Sequence, residues 1–457
     1  MSPGNFAFTL AAFALALGTL IVVHEFGHYV VARAIGVKVL RFSLGFGRPL
    51  WLKRLGRDRT EWAIAAFPLG GYVKMLDERE GPVAAHELPR AFNRQPVGKR
   101  LLVVAAGPLA NLLLAILIYW LLFMHGTEAL RPLLAAPPAA TAAAAAGLKD
   151  GDAVRAVDGK RVMSWEEMRW ELIQSALSQP IVTIEVENRQ HEIALRRLDT
   201  SALNGADPVP DLPQRLGLLP YRPPLPPVVG EVTKASVAEQ AGIRVGDRFT
   251  AVAGQPVSDW RELAMKIRAS PGQLLSFDLL RQGTKIALQA RPATVKEGGR
   301  RIGRLGIVVQ DDPSLRALML TTVRYGVLPA LGHATRQTWS TSVLTLTMIG
   351  RMISGEASWK NLSGPVTIAD YAGQSAKLGW SHYLSFLALI SISLGVLNLL
   401  PIPILDGGHL LYYMAEIIKG GPLPERVMEI GQQIGLGLLI MLMAFAFYND
   451  INRLVSG

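Results

Sequence analysis

The chain has 457 residues, of which 50% are hydrophobic and 18% charged, with a formal net charge of +11 and no cysteine. Disulfides, thiolate nucleophiles and cysteine-based zinc sites are thereby excluded. Length allows roughly two to four domains, and a positive mean hydropathy suits a chain partly in lipid and partly in water. The basic residues form no stripe or groove of the kind a nucleic acid needs, so no nucleic-acid partner is expected.

The first element is an apolar run in which Glu25 is the only charge between Phe6 and Val31. It is long enough to span a bilayer. It lacks the basic start of a signal peptide and continues apolar, which predicts a retained span. Inside it lies His24-Glu25-Phe26-Gly27-His28. Residues four apart share a helix face, so His24 and His28 can offer two imidazoles to one metal ion, with Glu25 placed as a general base. Ionisable groups at that depth are costly and usually functional.

From Arg33 to Arg100 there are 14 Lys and Arg against 6 Asp and Glu, and no Lys or Arg precedes Arg33. That asymmetry predicts a cytoplasmic segment between two spans. Within it, residues 37–75 read as two extended apolar stretches joined at Arg57-Asp58-Arg59. The expected product is a membrane-associated β-hairpin. It either packs under the helices or lends an open strand edge to an extended substrate. A second span is expected over 101–124, interrupted by Gly107-Pro108, with Asn111 read as a packing hydrogen bond.

Residues 127–310 turn polar and proline-rich. Ala146-Gly147-Leu148-Lys149-Asp150-Gly151-Asp152 recurs 95 positions later as Ala241-Gly242-Ile243-Arg244-Val245-Gly246-Asp247. The register holds on to Trp165 against Trp260, with nine identities in twenty positions. This is one domain in two copies, expected at 127–222 and 223–310, with the signature of PDZ modules. Such modules bind extended peptides by strand addition; here they bind peptide or act only as a barrier. Residues 311–380 predict short amphipathic interfacial helices, broken by Pro329, Gly355 and Pro365, none long enough to span. Two last spans follow in 381–457, one over about 383–404 and one over about 434–447, extended by Ile430 and Tyr448. The third ends in Asn398-Leu399-Leu400-Pro401 and reaches Leu405-Asp406-Gly407; Asp406 needs a buried partner, which a metal at His24 and His28 would provide.

The fold class that results is a multi-pass α-helical membrane protein with four transmembrane helices, a membrane-associated β-hairpin in residues 1–126 and two inserted α+β PDZ-like domains. The His-Glu-x-x-His span, the tandem insert and the Asn398 to Gly407 segment, with Gly45-Phe46-Gly47 and Leu362-Ser363-Gly364-Pro365, together resemble the site-2 protease family of intramembrane zinc metalloproteases. The resemblance covers essentially the whole chain. It implies that His24, His28 and Asp406 hold Zn2+, that Glu25 is the base, and that Asn398 donates to the substrate or oxyanion. It further implies that Gly45, Phe46 and Gly47 receive the unwound substrate. His409, three residues beyond Asp406, is left out because the family does not use it. The implied substrates are single-span membrane proteins, an anti-sigma factor or remnant signal peptides, cut in an envelope stress response after a first periplasmic protease has acted. The implied location is a bacterial inner membrane with both termini and the PDZ pair periplasmic. A non-catalytic PDZ scaffold with a structural metal is the alternative, but a structural zinc is normally closed by four protein ligands and only three are found.

Overall fold

The computed structural model describes residues 3–201, 212–297, 300–356 and 364–456. Leu362 and Ser363 lie outside the described residues. The chain divides into two units, Met1–Thr127 with Arg324–Gly457, and Glu128–Val323.

The first unit opens with α1 (Pro3–Ala34), a largely apolar helix of 32 residues that carries the His24 to His28 motif. Strands β1 (Val39–Leu55) and β2 (Thr60–Met75) follow, joined by a turn in which Arg59 adopts a φ of 51°. They do not form a simple hairpin. Leu44 pairs with both Gly71 and Ile64, and Trp51 also pairs with Ile64. Each long strand has folded back on itself, giving four segments in the order 71–75, 39–44, 60–65, 49–55. The fold-over of β1 falls at Gly45 and Gly47, with φ of 87° and 89°. A side chain there would be strained, so glycine makes the bend possible.

Helix α2 (Val97–His125) packs on α1 through small residues. A Cβ at Gly27 would collide with the Ala106 carbonyl and lie 2.7 Å from the Ala110 Cβ. In lipid, where apolar burial drives little association, such close approach is what holds helices together. The shared core of this unit, including Ala16, Leu20, Ala115, Leu122, Ala388 and Ile392, is correspondingly rich in alanine.

The second unit begins with β3 (Thr127–Leu130). Its first copy holds β4 (Ala153–Val157), β5 (Lys160–Arg161), α3 (Trp165–Ser178), β6 (Ile181–Glu187) and β7 (Ile193–Asp199), in the sheet order β5-β4-β6-β7. The second copy starts with β8 (Val229–Val232), then β9 (Arg248–Val252), β10 (Gln255–Pro256), α4 (Trp260–Arg268), β11 (Leu275–Arg281) and β12 (Thr284–Ala290). Its sheet repeats the order as β10-β9-β11-β12. The repeated motif builds the same turn twice: Asp152 accepts from the Lys149 amide at 2.9 Å, and Asp247 from the Arg244 amide at 2.8 Å. Strands β13 (Ala293–Glu297) and β14 (Arg300–Arg304) form a hairpin, and β15 (Ile307–Val309) pairs with β8. Then β16 (Leu320–Val323) pairs with β3, so the unit is closed by its own two ends. The expected boundary at 310 is therefore thirteen residues early, because nothing in the sequence marks a lone strand that pairs with one 190 positions away.

Back in the first unit, α5 (Val327–Ile353) is 27 residues long. The expectation of short helices broken at Pro329 fails because that proline sits in the first turn, where its missing N–H costs nothing. Helix α6 (Pro365–Lys377) precedes α7 (Trp380–Asn398). The third span was expected to run to Ile404; instead α7 stops at Asn398, and Asp406 opens a separate helix, α8 (Asp406–Lys419). Pro401 and Pro403 explain the break, since neither can donate into a continuing helix. Helix α9 (Glu425–Ser456) is the last, longer than an expected span of 434–447 extended to Ile430 and Tyr448. Asp450, buried, accepts from the amides of Gly364, Val366 and Thr367, capping α6 from a distance of more than eighty residues.

Among the described residues four helices are long and apolar enough to cross a membrane: Gly4–Ala34, Val97–His125, Trp380–Asn398 and Arg426–Asn452.

Candidate metal centre

Helical spacing puts His24 and His28 on one face of α1, and their Nε2 atoms approach to 3.3 Å. Asp406, the first residue of α8, faces both: Oδ2 is 3.1 Å from His24 Nε2 and Oδ1 is 3.5 Å from His28 Nε2. One donor atom from each of the three falls within 4.8 Å of the others. These are the three residues the sequence singled out, now brought together across more than 370 positions.

The surroundings fit a metal. His28 Nδ1 lies 2.8 Å from the Val103 carbonyl oxygen, to which it can only donate, so its Nε2 carries the lone pair. His24 Nδ1 lies 3.3 Å from the side-chain amide of Asn111, whose Oδ1 is buried without a partner. Nitrogen and oxygen of an amide exchange by a half-turn. Turned so, Asn111 accepts from the His24 Nδ1–H, which frees the second Nε2. Gly107 supplies the space: a Cβ there would collide with His28 Nε2 and lie 2.8 Å from His24 Nε2. The sequence reading treated Asn111 as packing alone. Its spacing of four from Gly107 was the available signal, since that puts both on the face toward α1.

Beside the three residues opens a chamber of about 770 Å³. Glu25 lines it, next to Gly71, where a Cβ would lie 2.9 Å from Glu25 Cγ. The segment Gly71–Met75 forms one wall. It pairs with 39–44 on one side and has no strand on the other among the described residues. Arg100 and Glu416 also line it, paired at 2.7 Å and nearly buried, with the guanidinium 4.7 Å from the Tyr413 ring centroid. That pair ties the far end of α8 to α2, and so fixes where Asp406 stands.

Gly45, Phe46 and Gly47 do not line the chamber. They lie at the fold-over of β1, and the free edge beside the metal residues belongs to β2. Phe46 instead stacks on Tyr72 with ring centroids 6.1 Å apart, backing the strand that does line it. Asn398 closes α7 and is also outside the chamber lining, whereas His409 lines it without joining the three-residue group.

The family model for peptidase family M50 matches residues 12–442. The chain belongs to peptidase family M50. This M50 peptidase is 45% identical over 98% of its length to all of a protein named as a zinc metalloprotease in Neisseria meningitidis serogroup A. It is 43% identical to the regulator of sigma-E protease of Salmonella typhimurium, covering 97% of this chain and 98% of that one. With the corresponding protein of Escherichia coli K12 the figures are 42%, 98% and 100%. It is thus a metalloprotease and a membrane protein, and its His24, His28 and Asp406 are the residues suited to a metal.

Proposed function

We propose that this peptidase hydrolyses a peptide bond inside the membrane span of single-span proteins, with zinc held by His24, His28 and Asp406. The observation that carries the reading is the union of that donor set, Glu25 and a free strand edge in one chamber beside apolar helices. When bound, zinc polarises the scissile carbonyl and lowers the pKa of the attacking water. Glu25 takes the proton from that water and returns it to the leaving amine. A helical substrate hides its carbonyls in its own hydrogen bonds, and freeing them in lipid costs several kcal/mol for each group left unpaired. Gly71–Met75 supplies replacement partners by strand addition. This assigns to β2 the receiving role that the resemblance implied for Gly45-Phe46-Gly47, which act behind it through Phe46. Asn398 is assigned to the substrate backbone once substrate is seated.

Two relatives are named for regulating sigma-E, and the family resemblance adds an anti-sigma factor as the substrate, in a bacterial inner membrane with the termini and PDZ pair periplasmic; remnant signal peptides are a second class. The tandem insert restricts cleavage to substrates already trimmed outside the membrane. Deleting residues 130–308 should then allow a full-length single-span substrate to be cut, with the trimmed one still cut. Glu25→Gln should keep zinc and lose about 10²- to 10⁴-fold in turnover, measured on a trimmed substrate in detergent. Near-normal turnover by a zinc-loaded Glu25→Gln would sink the mechanism.

A further inference from the structure

The folded-back sheet has two free edges, and they differ in kind. One, Gly71–Met75, faces the chamber. The other, residues 49–55, pairs only with 60–65 and turns its remaining side outward. Every residue from Phe46 to Arg57 is exposed. Leu50 is 73% exposed, Trp51 49%, and Leu52 and Leu55 about as much as Trp51. Among them stand Arg48, Lys53, Arg54, Arg57 and Arg59.

The two acids of this end are already neutralised. Asp58 receives both terminal nitrogens of Arg90 at 2.8 Å, and Glu61 is held by Arg41 at 2.6 Å and Arg54 at 2.8 Å. That leaves Arg48, Lys53, Arg57 and Arg59 with no acidic partner among the described residues. Charges alone would suit an edge that merely repels other strands. Such an edge has no use for four exposed Leu and Trp side chains interleaved with the cations. Free backbone groups also forbid the hydrocarbon interior. Trp, Leu and basic side chains together on a free edge match one place, the boundary where acyl chains meet phosphates.

We propose that this outer edge is a docking surface for anionic phospholipid headgroups, with Trp51 and the leucines at the acyl boundary and Arg48, Lys53, Arg57 and Arg59 on the phosphates. It thereby anchors the end of the sheet remote from the chamber, so that the working edge is held at a fixed depth.

The test uses the full chain in nanodiscs of phosphatidylcholine with 20 mol% phosphatidylglycerol, brominated on one lipid or the other at equal fraction. Quenching of Trp51 is the difference between the parent and Trp51→Phe. Brominated phosphatidylglycerol should quench it at least about threefold more than brominated phosphatidylcholine. Arg48→Gln/Lys53→Gln/Arg57→Gln/Arg59→Gln should remove the preference, while Arg48→Lys/Arg57→Lys/Arg59→Lys should keep it. Equal quenching by the two lipids in the parent overturns the proposal, as does no quenching by either. A preference that survives neutralisation, or is lost in the charge-retaining variant, overturns it too.

Discussion

The two units of the chain are held together in opposite ways. The inserted unit has two ordinary cores, one around Leu172, Ile184 and Leu198, the other around Phe249, Phe277 and Leu279, each built from a sheet and the helices packed on it. Burial of large apolar side chains from water stabilises them. The helical unit instead relies on glycine contacts and on polar ties between distant residues: Arg100 with Glu416, Ser391 with the Asn111 carbonyl at 2.7 Å, and Tyr383 with the Ala12 carbonyl at 2.7 Å. Surrounded by lipid, it gains little by hiding leucine. The same substitution therefore has different consequences in the two places, and chemistry that needs fixed distances is found where shape, not oiliness, sets them.

The sharpest break is one methyl group. Gly107→Ala should abolish zinc binding and turnover together, read by metal content and a cleavage assay, because the added Cβ fills the space between the two Nε2 atoms. In the insert the damaging change has the opposite sense. Phe249→Ala removes a fully buried ring packed edge-to-face on Phe277 at 5.7 Å. It should cost the second copy about 4 kcal/mol, seen as faster hydrogen exchange of its strands, with zinc content unchanged.

The insert holds an ion pair whose acid is fully buried. Asp247 is buried beside Arg281 at 2.7 Å. Burial alone would raise its carboxyl pKa; the Arg281 guanidinium and the Arg244 amide outweigh that and hold it below the ordinary range. A depressed carboxylate contributes stability that is full above its unfolded pKa and is lost as pH falls through the folded value. The second copy should weaken below about pH 4. Arg281→Met should lower stability at neutral pH, because it leaves the buried carboxylate unpaired, and flatten that acid limb. The smallest effect is expected at Asn111. Asn111→Leu should weaken zinc binding by about 10- to 100-fold against a competing chelator, while Asn111→Asp, which keeps an acceptor, should not.

The comparison also explains what could be read from the chain beforehand. His24, Glu25, His28 and Asp406 stand out because charge inside an apolar run is costly and needs a reason. The two copies of the insert stand out because their turn demands glycine and aspartate at fixed places. The folding back of β1 and β2 was not legible. Two strands of 17 and 16 residues look like one long hairpin, and only the pairing of Leu44 with two partners shows otherwise. Hence the resemblance points to Gly45-Phe46-Gly47, whereas the free edge that lines the chamber is Gly71–Met75. Helix α5 was underestimated because a proline in a first turn looks the same in sequence as one that breaks a helix.

The distance between the metal residues has a consequence in time. Asp406 follows His28 by 378 positions. At about 5 to 20 residues per second, roughly 20 to 75 s of synthesis separates the two histidines from the carboxylate that completes their set. Two imidazoles fall short of the three protein ligands of a catalytic zinc site. With the proposed ligands and base, the nascent chain is therefore inert until α8 is made, its base in place and nothing for it to act with. Under the proposed assignment, proteolytic competence arrives only as α8 docks, after the whole inserted unit has been made.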